Sequence, residues 1–325
     1  CYSKIFQNDS GTFTDINAGL IGSDDGSVAW GDYDNDGDLD ILLAGRNYED
    51  DLALSEGEYD NICKIYLNDS GIFTTTSINV TNKENPSLAW GDYDNDGDLD
   101  ITITSGTTFT QTAMIYRNNG LVTNTTPNYP TNLFSIANGS EVALSWDKAT
   151  DTETPQYGLS YNLYLGTSSL NGEIQESMSD ISNGYRKVVS LGNTNQNNSW
   201  TIKDLQGGTY YWSVQAIDHA FAGSEFSAEQ SFTILGIPNN VNIAYSSTTA
   251  SITWDPIPEA NSYKVFTSTD PYGTYLDFSN FGTFDGASWS LPWSGDKLFF
   301  YVIASTETGK TTLPVRINKV AGGVK

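Results

Sequence analysis

Thirteen consecutive residues occur twice in this chain without a change. Ala29-Trp30-Gly31-Asp32-Tyr33-Asp34-Asn35-Asp36-Gly37-Asp38-Leu39-Asp40-Ile41 returns as Ala89 to Ile101. A second element travels with it. Lys4 to Phe13 returns in near-identical form as Lys64 to Phe73, so the period is 60 residues. A third, partial copy starts at Ile115-Tyr116-Arg117-Asn118-Asn119-Gly120, only 50 residues after Ile65. The first repeat is the longer one, and its excess lies in an acidic stretch from about Asn47 to Asp60. Periodicity on this scale means stacked supersecondary units, each unable to bury its apolar face alone.

The repeated segment also dictates chemistry. Asp32, Asp34, Asp36, Asp38 and Asp40 stand at alternate positions around Gly37, as do Asp92, Asp94, Asp96, Asp98 and Asp100 around Gly97. So many carboxylates within nine residues repel one another strongly unless a cation neutralises them. Calcium takes roughly six to eight oxygens in irregular geometry, whereas magnesium demands an octahedron and holds its water. The expectation is two Ca²⁺ ions, one per loop. Side chains at loop positions one, three, five and nine would serve as ligands, and Asp38 and Asp98 would act mainly through their carbonyls. Gly37 and Gly97 would supply the positive φ of the bend.

The segments around these loops read as short strands. Ile41-Leu42-Leu43 and Ile101-Thr102-Ile103 follow the loops, and Asn-Asp-Ser-Gly is hairpin-turn chemistry. A linker rich in Thr, Asn and Pro (Thr123 to Pro130) marks a boundary. Beyond it, alternating apolar strands recur in two blocks, with a Trp in the second strand of each, Trp146 and Trp254. The chain is therefore expected to be all-β, with three segments at 1–122, 123–235 and 236–325.

Two resemblances follow from these residues. The Ala-Trp-Gly-Asp-Tyr lead, the acidic loop and the Leu-Asp-Ile exit resemble the FG-GAP calcium-binding repeats of integrin-like β-propellers, also found in bacterial secreted and surface proteins. An EF-hand would need a Glu at loop position twelve, where Leu43 and Ile103 stand. The resemblance implies propeller-type blades, two plus a partial third. The later segments resemble fibronectin type III domains through Trp146 or Trp254, Tyr161 or Tyr263, and Leu205 to Trp212, with Tyr210 as the corner tyrosine. This implies two fibronectin type III-like β-sandwiches, the first carrying an insert at about Gly166 to Asn198.

The net charge of −25, with only 15 Lys and Arg, argues against nucleic acid as a partner and against anionic membranes. No apolar run is long enough for a transmembrane helix. The start at Cys1 reads as a cut end; a lipid anchor there is the less favoured reading. Cys1 and Cys63 are the only cysteines and could form one disulfide. His219 is the sole histidine, and no nucleophile motif accompanies it. The aromatics of the two sandwich segments read as core; Trp289 and Trp293, as surface-facing candidates for stacking on sugar, are the less favoured reading. The acidic excess near Asn47 to Asp60 reads as a solvated insertion. The functional expectation is a non-catalytic, calcium-stabilised extracellular structural or adhesive protein, self-associating into an oligomer or filament through its open blade segment. The alternative is a carbohydrate- or protein-binding accessory region of a larger secreted enzyme, taking a surface glycan or protein as partner.

Overall fold

The computed structural model describes residues 2–47, 60–76, 85–94, 96–106, 111–120, 122–246, 248–292, 298–305 and 315–317. Two features that the sequence singled out lie outside them, namely most of the acidic stretch after Asn47, and Trp293. Cys1 is outside them too, and Cys63 is a buried thiol.

The repeated Asn-Asp-Ser-Gly fixes two hairpins. Ser10 and Gly11 adopt φ of 52° and 94°, and Ser70 and Gly71 adopt 54° and 91°. Positive φ at both central residues is the two-residue turn that matches the twist of flanking strands. In each turn the Asn Oδ1 accepts from the glycine N–H at 2.8 Å. The first turn joins β1 (Phe6–Asp9) to β2 (Thr12–Asp15). The second closes a four-stranded antiparallel meander of β3 (Asp24–Gly31), β4 (Asp40–Asn47), β5 (Asp60–Asp69) and β6 (Ile72–Thr75). A three-stranded sheet follows, with β7 (Ser87–Gly91), β8 (Asp100–Gly106) and β9 (Gln111–Tyr116).

The four-stranded sheet is covered on both faces. Ile41, Leu43 and Tyr66 pack with Ile5, Leu20, Ile21 and Phe73 on the side of the N-terminal hairpin. Leu42, Ala44, Cys63 and Ile65 pack with Trp90, Leu99, Ile101 and Ile103 of the next sheet. This is why β4 is an unbroken apolar run rather than an alternating one. The repeat frame and the sheet frame are offset. Each sheet runs from the strand before an acidic loop to the Lys/Ile/Tyr strand of the following copy. The partial third copy at Ile115 is consequently the last strand of the three-stranded sheet, not the start of another. The hairpin β1–β2 pairs in the same register as β5–β6 of the four-stranded sheet.

The second segment is a sandwich of two three-stranded sheets. One holds β10 (Thr131–Asn138), β11 (Glu141–Asp147) and β13 (Ser199–Ile202); the other holds β12 (Ser160–Gly166), β14 (Gly208–Ile217) and β15 (Gln230–Ile234). Alternation puts Tyr210, Trp212, Val214 and Ala216 inward, where they meet Val142, Leu144, Trp146, Tyr161 and Leu163. Trp146 lies 5.7 Å from the Tyr161 ring and 6.4 Å from Trp212. Tyr210 OH donates to Gln206 O at 2.9 Å, four residues upstream, which makes it a corner tyrosine. The insert after Gly166 covers the outer face of β12. Fully buried Asn162 and Gln215 anchor it: Asn162 donates to Gln215 at 3.0 Å, and Gln215 donates to Gly184 O at 2.6 Å.

The third segment repeats the plan with four strands per sheet. β16 (Asn242–Tyr245), β17 (Thr249–Thr253), β21 (Ser288–Pro292) and β20 (Thr283–Phe284) form one sheet. β19 (Leu276–Asp277), β18 (Ser262–Ser268), β22 (Phe299–Ser305) and β23 (Val315–Ile317) form the other. Trp254 contacts Tyr263 at 5.0 Å. Trp289 is not a surface platform. It is 0% exposed, lies 6.2 Å from the Phe300 ring and donates to Ser279 O. The alternation Ser288-Trp289-Ser290-Leu291 turns the indole into the core. Both C-terminal segments are thus fibronectin type III-like sandwiches by strand order. Among the described residues no helix is long and apolar enough to cross a membrane.

Candidate metal centre

Each acidic loop connects the first two strands of its sheet, β3 to β4 and β7 to β8. The strand ends fix the loop ends, and the glycines take the bend, with φ of 94° at Gly37 and 92° at Gly97. The first and last aspartates are tied down by backbone donors. Asp32 accepts from the N–H of Asp36 at 3.1 Å and Gly37 at 2.9 Å, and Asp40 accepts from Tyr33 at 2.7 Å and Asn68 at 2.8 Å. The second loop reproduces these bonds. Asp92 accepts from Asp96 and Gly97, both at 3.1 Å, and Asp100 accepts from Tyr93 at 2.9 Å and Asn118 at 2.7 Å. Identical sequence thus gives near-identical local folding.

Six carboxylates converge, three in each loop, where eight were expected as side-chain ligands and Asp38 and Asp98 through their carbonyls. Oxygens of Asp32, Asp34 and Asp40 lie within 4.8 Å of one another, as do those of Asp92, Asp94 and Asp96. Asp36 and Asp38 fall outside the first group, and Asp98 and Asp100 outside the second. The Asp38 carboxylate accepts from Ser70 N–H at 2.8 Å. Asp98 accepts from Asn35 at 2.9 Å.

Burial and mutual repulsion disfavour the charged form of these carboxylates. Asp32 and Asp40 are fully buried, and loss of hydration pushes each carboxyl up to about 7 even though backbone N–H donors pull the other way. Burial and neighbouring carboxylates also raise Asp34, Asp98 and Asp100. Asp34 Oδ1 and Asp94 Oδ1, one in each converging group, are buried without a hydrogen-bond partner. Buried polar atoms are ordinarily satisfied. An all-carboxylate oxygen set with an orphaned oxygen suits a hard cation such as Ca²⁺.

Several residues at this centre were not singled out as ligands or anchors by sequence reasoning. Asn68 and Asn118 clamp the closing aspartates, and their shared place in the repeat was the available signal. Asn35 and Asn118 join the two loops: Asn35 donates to Asp98, and Asn118 donates to Tyr33 O at 2.9 Å. Arg117 reaches Asp94 and Asp96, each at 2.7 Å, and holds Asp96 below the usual carboxylate range. His219 docks the first sandwich on the first loop. Its Nδ1 lies 2.7 Å from Gly37 O, and its carbonyl accepts from Asp32 N–H at 3.2 Å. Beside it, fully buried Asp218 is pushed up to about 7 by burial, while Asn124 donates to it at 2.8 Å. Between the second loop and the sandwich insert runs a groove of about 580 Å³, lined by Asp92, Asp96, Leu99, Tyr185, Arg186 and Phe221 among others.

No protein-family model matches the sequence, and no curated protein matches it by sequence. Among solved structures, chicken CNTN1 FN1–FN3 domains align at 13% identity and a TM-score of 0.28, covering 90% of this chain and 97% of that one. A two-domain fibronectin type III segment of chicken tenascin aligns at 14% identity and a TM-score of 0.28, covering 60% of this chain and all of that one. Overlaps this loose carry no argument about the whole molecule, so the sandwich assignment stands on strand order and the Tyr210 corner.

Proposed function

We propose that this chain is a non-catalytic, calcium-stabilised structural and adhesive protein of the extracellular space. In this reading the acidic loops are FG-GAP-type calcium sites, the N-terminal sheets are propeller-type blades, and the two sandwiches are spacer or binding arms. The observation that carries it is the pair of converging carboxylate groups, each with a buried oxygen that lacks a donor. Two ions would neutralise these groups and fix the blade edge against which His219 rests.

Self-association through the open blade segment completes the reading. Phe6 and Phe13 of the hairpin are 52% and 67% exposed, although their counterparts Tyr66 and Phe73 are covered. The opposite end is more polar, with Thr102 and Thr104 where the first sheet has Leu42 and Ala44. The hairpin face is therefore the stickier end.

Calorimetric titration of calcium into chelator-treated protein tests the metal, and light scattering across a concentration series tests association. Absence of calcium uptake overturns the reading; a monomer at all concentrations removes its assembly part. The alternative, an accessory region that holds a glycan or protein, draws on the groove beside the second loop. Tight binding of a monomer on a glycan array would favour it.

A further inference from the structure

We infer that Arg117 is a built-in counter-ion of the second acidic loop, so that two loops of identical sequence take up calcium with unequal affinity, the first before the second. The inference rests on the reading of both loops as calcium sites, and it concerns how the second is regulated.

The geometry separates the loops at one point. Arg117 Nε lies 2.7 Å from Asp94 Oδ2, and Arg117 Nη2 lies 2.7 Å from Asp96 Oδ2. These carboxylates are two of the three that converge in the second loop. The guanidinium enters from the residue after β9. Strand registers place Tyr116 opposite Ile101 just as Tyr66 lies opposite Ile41, so the matching residue of the first repeat is Leu67, which packs against the apolar core. Among the described residues no lysine or arginine pairs with Asp34 or Asp36. One loop therefore carries an internal cation and its twin does not.

A guanidinium is an incomplete substitute for a metal. It is planar, bears one charge and donates along fixed directions, whereas calcium gathers roughly six to eight oxygens around one point. Arg117 engages the Oδ2 atoms of Asp94 and Asp96, yet Asp94 Oδ1 stays buried without a partner. The loop is held partly neutralised, with a coordinating oxygen still unused. About half of the Arg117 side chain is exposed, so it can swing into water when an ion arrives. A second observation ties the loops together. Asn35 of the first loop is 3% exposed, donates to Asp98 of the second and leaves its own Oδ1 without a partner. Ordering of the first loop therefore positions an acid of the second.

Calorimetric titration of calcium into full-length wild type and R117L tests this, with D94N marking which binding class belongs to the second loop. Wild type should show a tight and a weak class. R117L, which installs the residue of the first repeat, should tighten the weak class by roughly tenfold, the worth of two half-exposed ion pairs, and leave the tight class in place. Melting adds a readout that loss of folding would not mimic. R117L should melt below wild type in chelator, where the repulsion is no longer relieved, and at or above it in saturating calcium. Two equal classes in wild type, or a weak class unmoved by R117L, would overturn the role of Arg117 while leaving the calcium reading intact. No calcium uptake by either protein would overturn both.

Discussion

Consider the chain freed of divalent ions by chelator and unfolded with urea at a series of pH values from roughly 5 to 8. Asp32 and Asp40 are fully buried, and each carboxyl is pushed up to about 7. A carboxyl raised in the folded state binds its proton more tightly there than in the unfolded chain. The ion-free fold is thus most stable below the ordinary carboxylate value and loses stability as pH rises towards 7. Moving a group from 3.8 to about 7 corresponds to about 4 kcal/mol at ~1.4 kcal/mol per tenfold change in proton affinity. Asp40 is among the charges that raise Asp32, so the two titrate as a pair and their contributions do not simply add; even one such shift is a large part of the stability of an ordinary domain. Asp218, also pushed up to about 7, adds in the same direction. Calcium reverses the slope, because it competes with those protons, and each site adds ~2.7 kcal/mol at about a hundredfold excess over Kd. The expected result is a urea midpoint that falls with pH in chelator and rises or stays level with pH in calcium. A chelated midpoint that is flat or rising over that range would refute the assignment of Asp32 and Asp40 as acids awaiting a cation.

The two glycines of the loops separate bend from docking. A Cβ on Gly37 would overlap the carbonyl oxygen of Glu153, whereas one on Gly97 meets nothing within 4 Å. G97A should cost only the strain of positive φ, ~1–2 kcal/mol in thermal unfolding. G37A should cost more and should loosen the sandwich from the loop, seen as faster amide exchange around His219. Equal effects would contradict the described packing. Replacing Trp289 tests the sandwich core: W289A should cost ~3–5 kcal/mol in the melting of the third segment and leave any glycan binding of the remaining fold unchanged.

The loops could be read from sequence because position in the repeat and chemistry coincide there. Alternating aspartates around a glycine permit few geometries, and Gly37 and Gly97 adopt the positive φ that this implies. The corner at Tyr210 and the inward face of β14 were legible for a similar reason, since strict alternation assigns faces. The sheet frame was not legible. Sequence identity marks where a repeat recurs, but hydrogen-bond registers decide where a sheet begins, and these fall between copies. Arg117 was visible only as an unmatched letter opposite Leu67, with no indication that it folds back onto Asp94 and Asp96. His219 contacts Gly37 across 182 positions, a separation that local pattern cannot bridge. Trp289 falls in the core, the favoured reading of these aromatics, and its serine neighbours carried the alternation that turns it inward.

The offset between repeat and sheet has a mechanical side. Every copy begins in one sheet and ends in the next, so neighbouring copies overlap like courses of brick with staggered joints. Pulling one copy away from another then means peeling paired strands out of a shared sheet, and a load along the chain meets backbone ladders before it meets any interface between units.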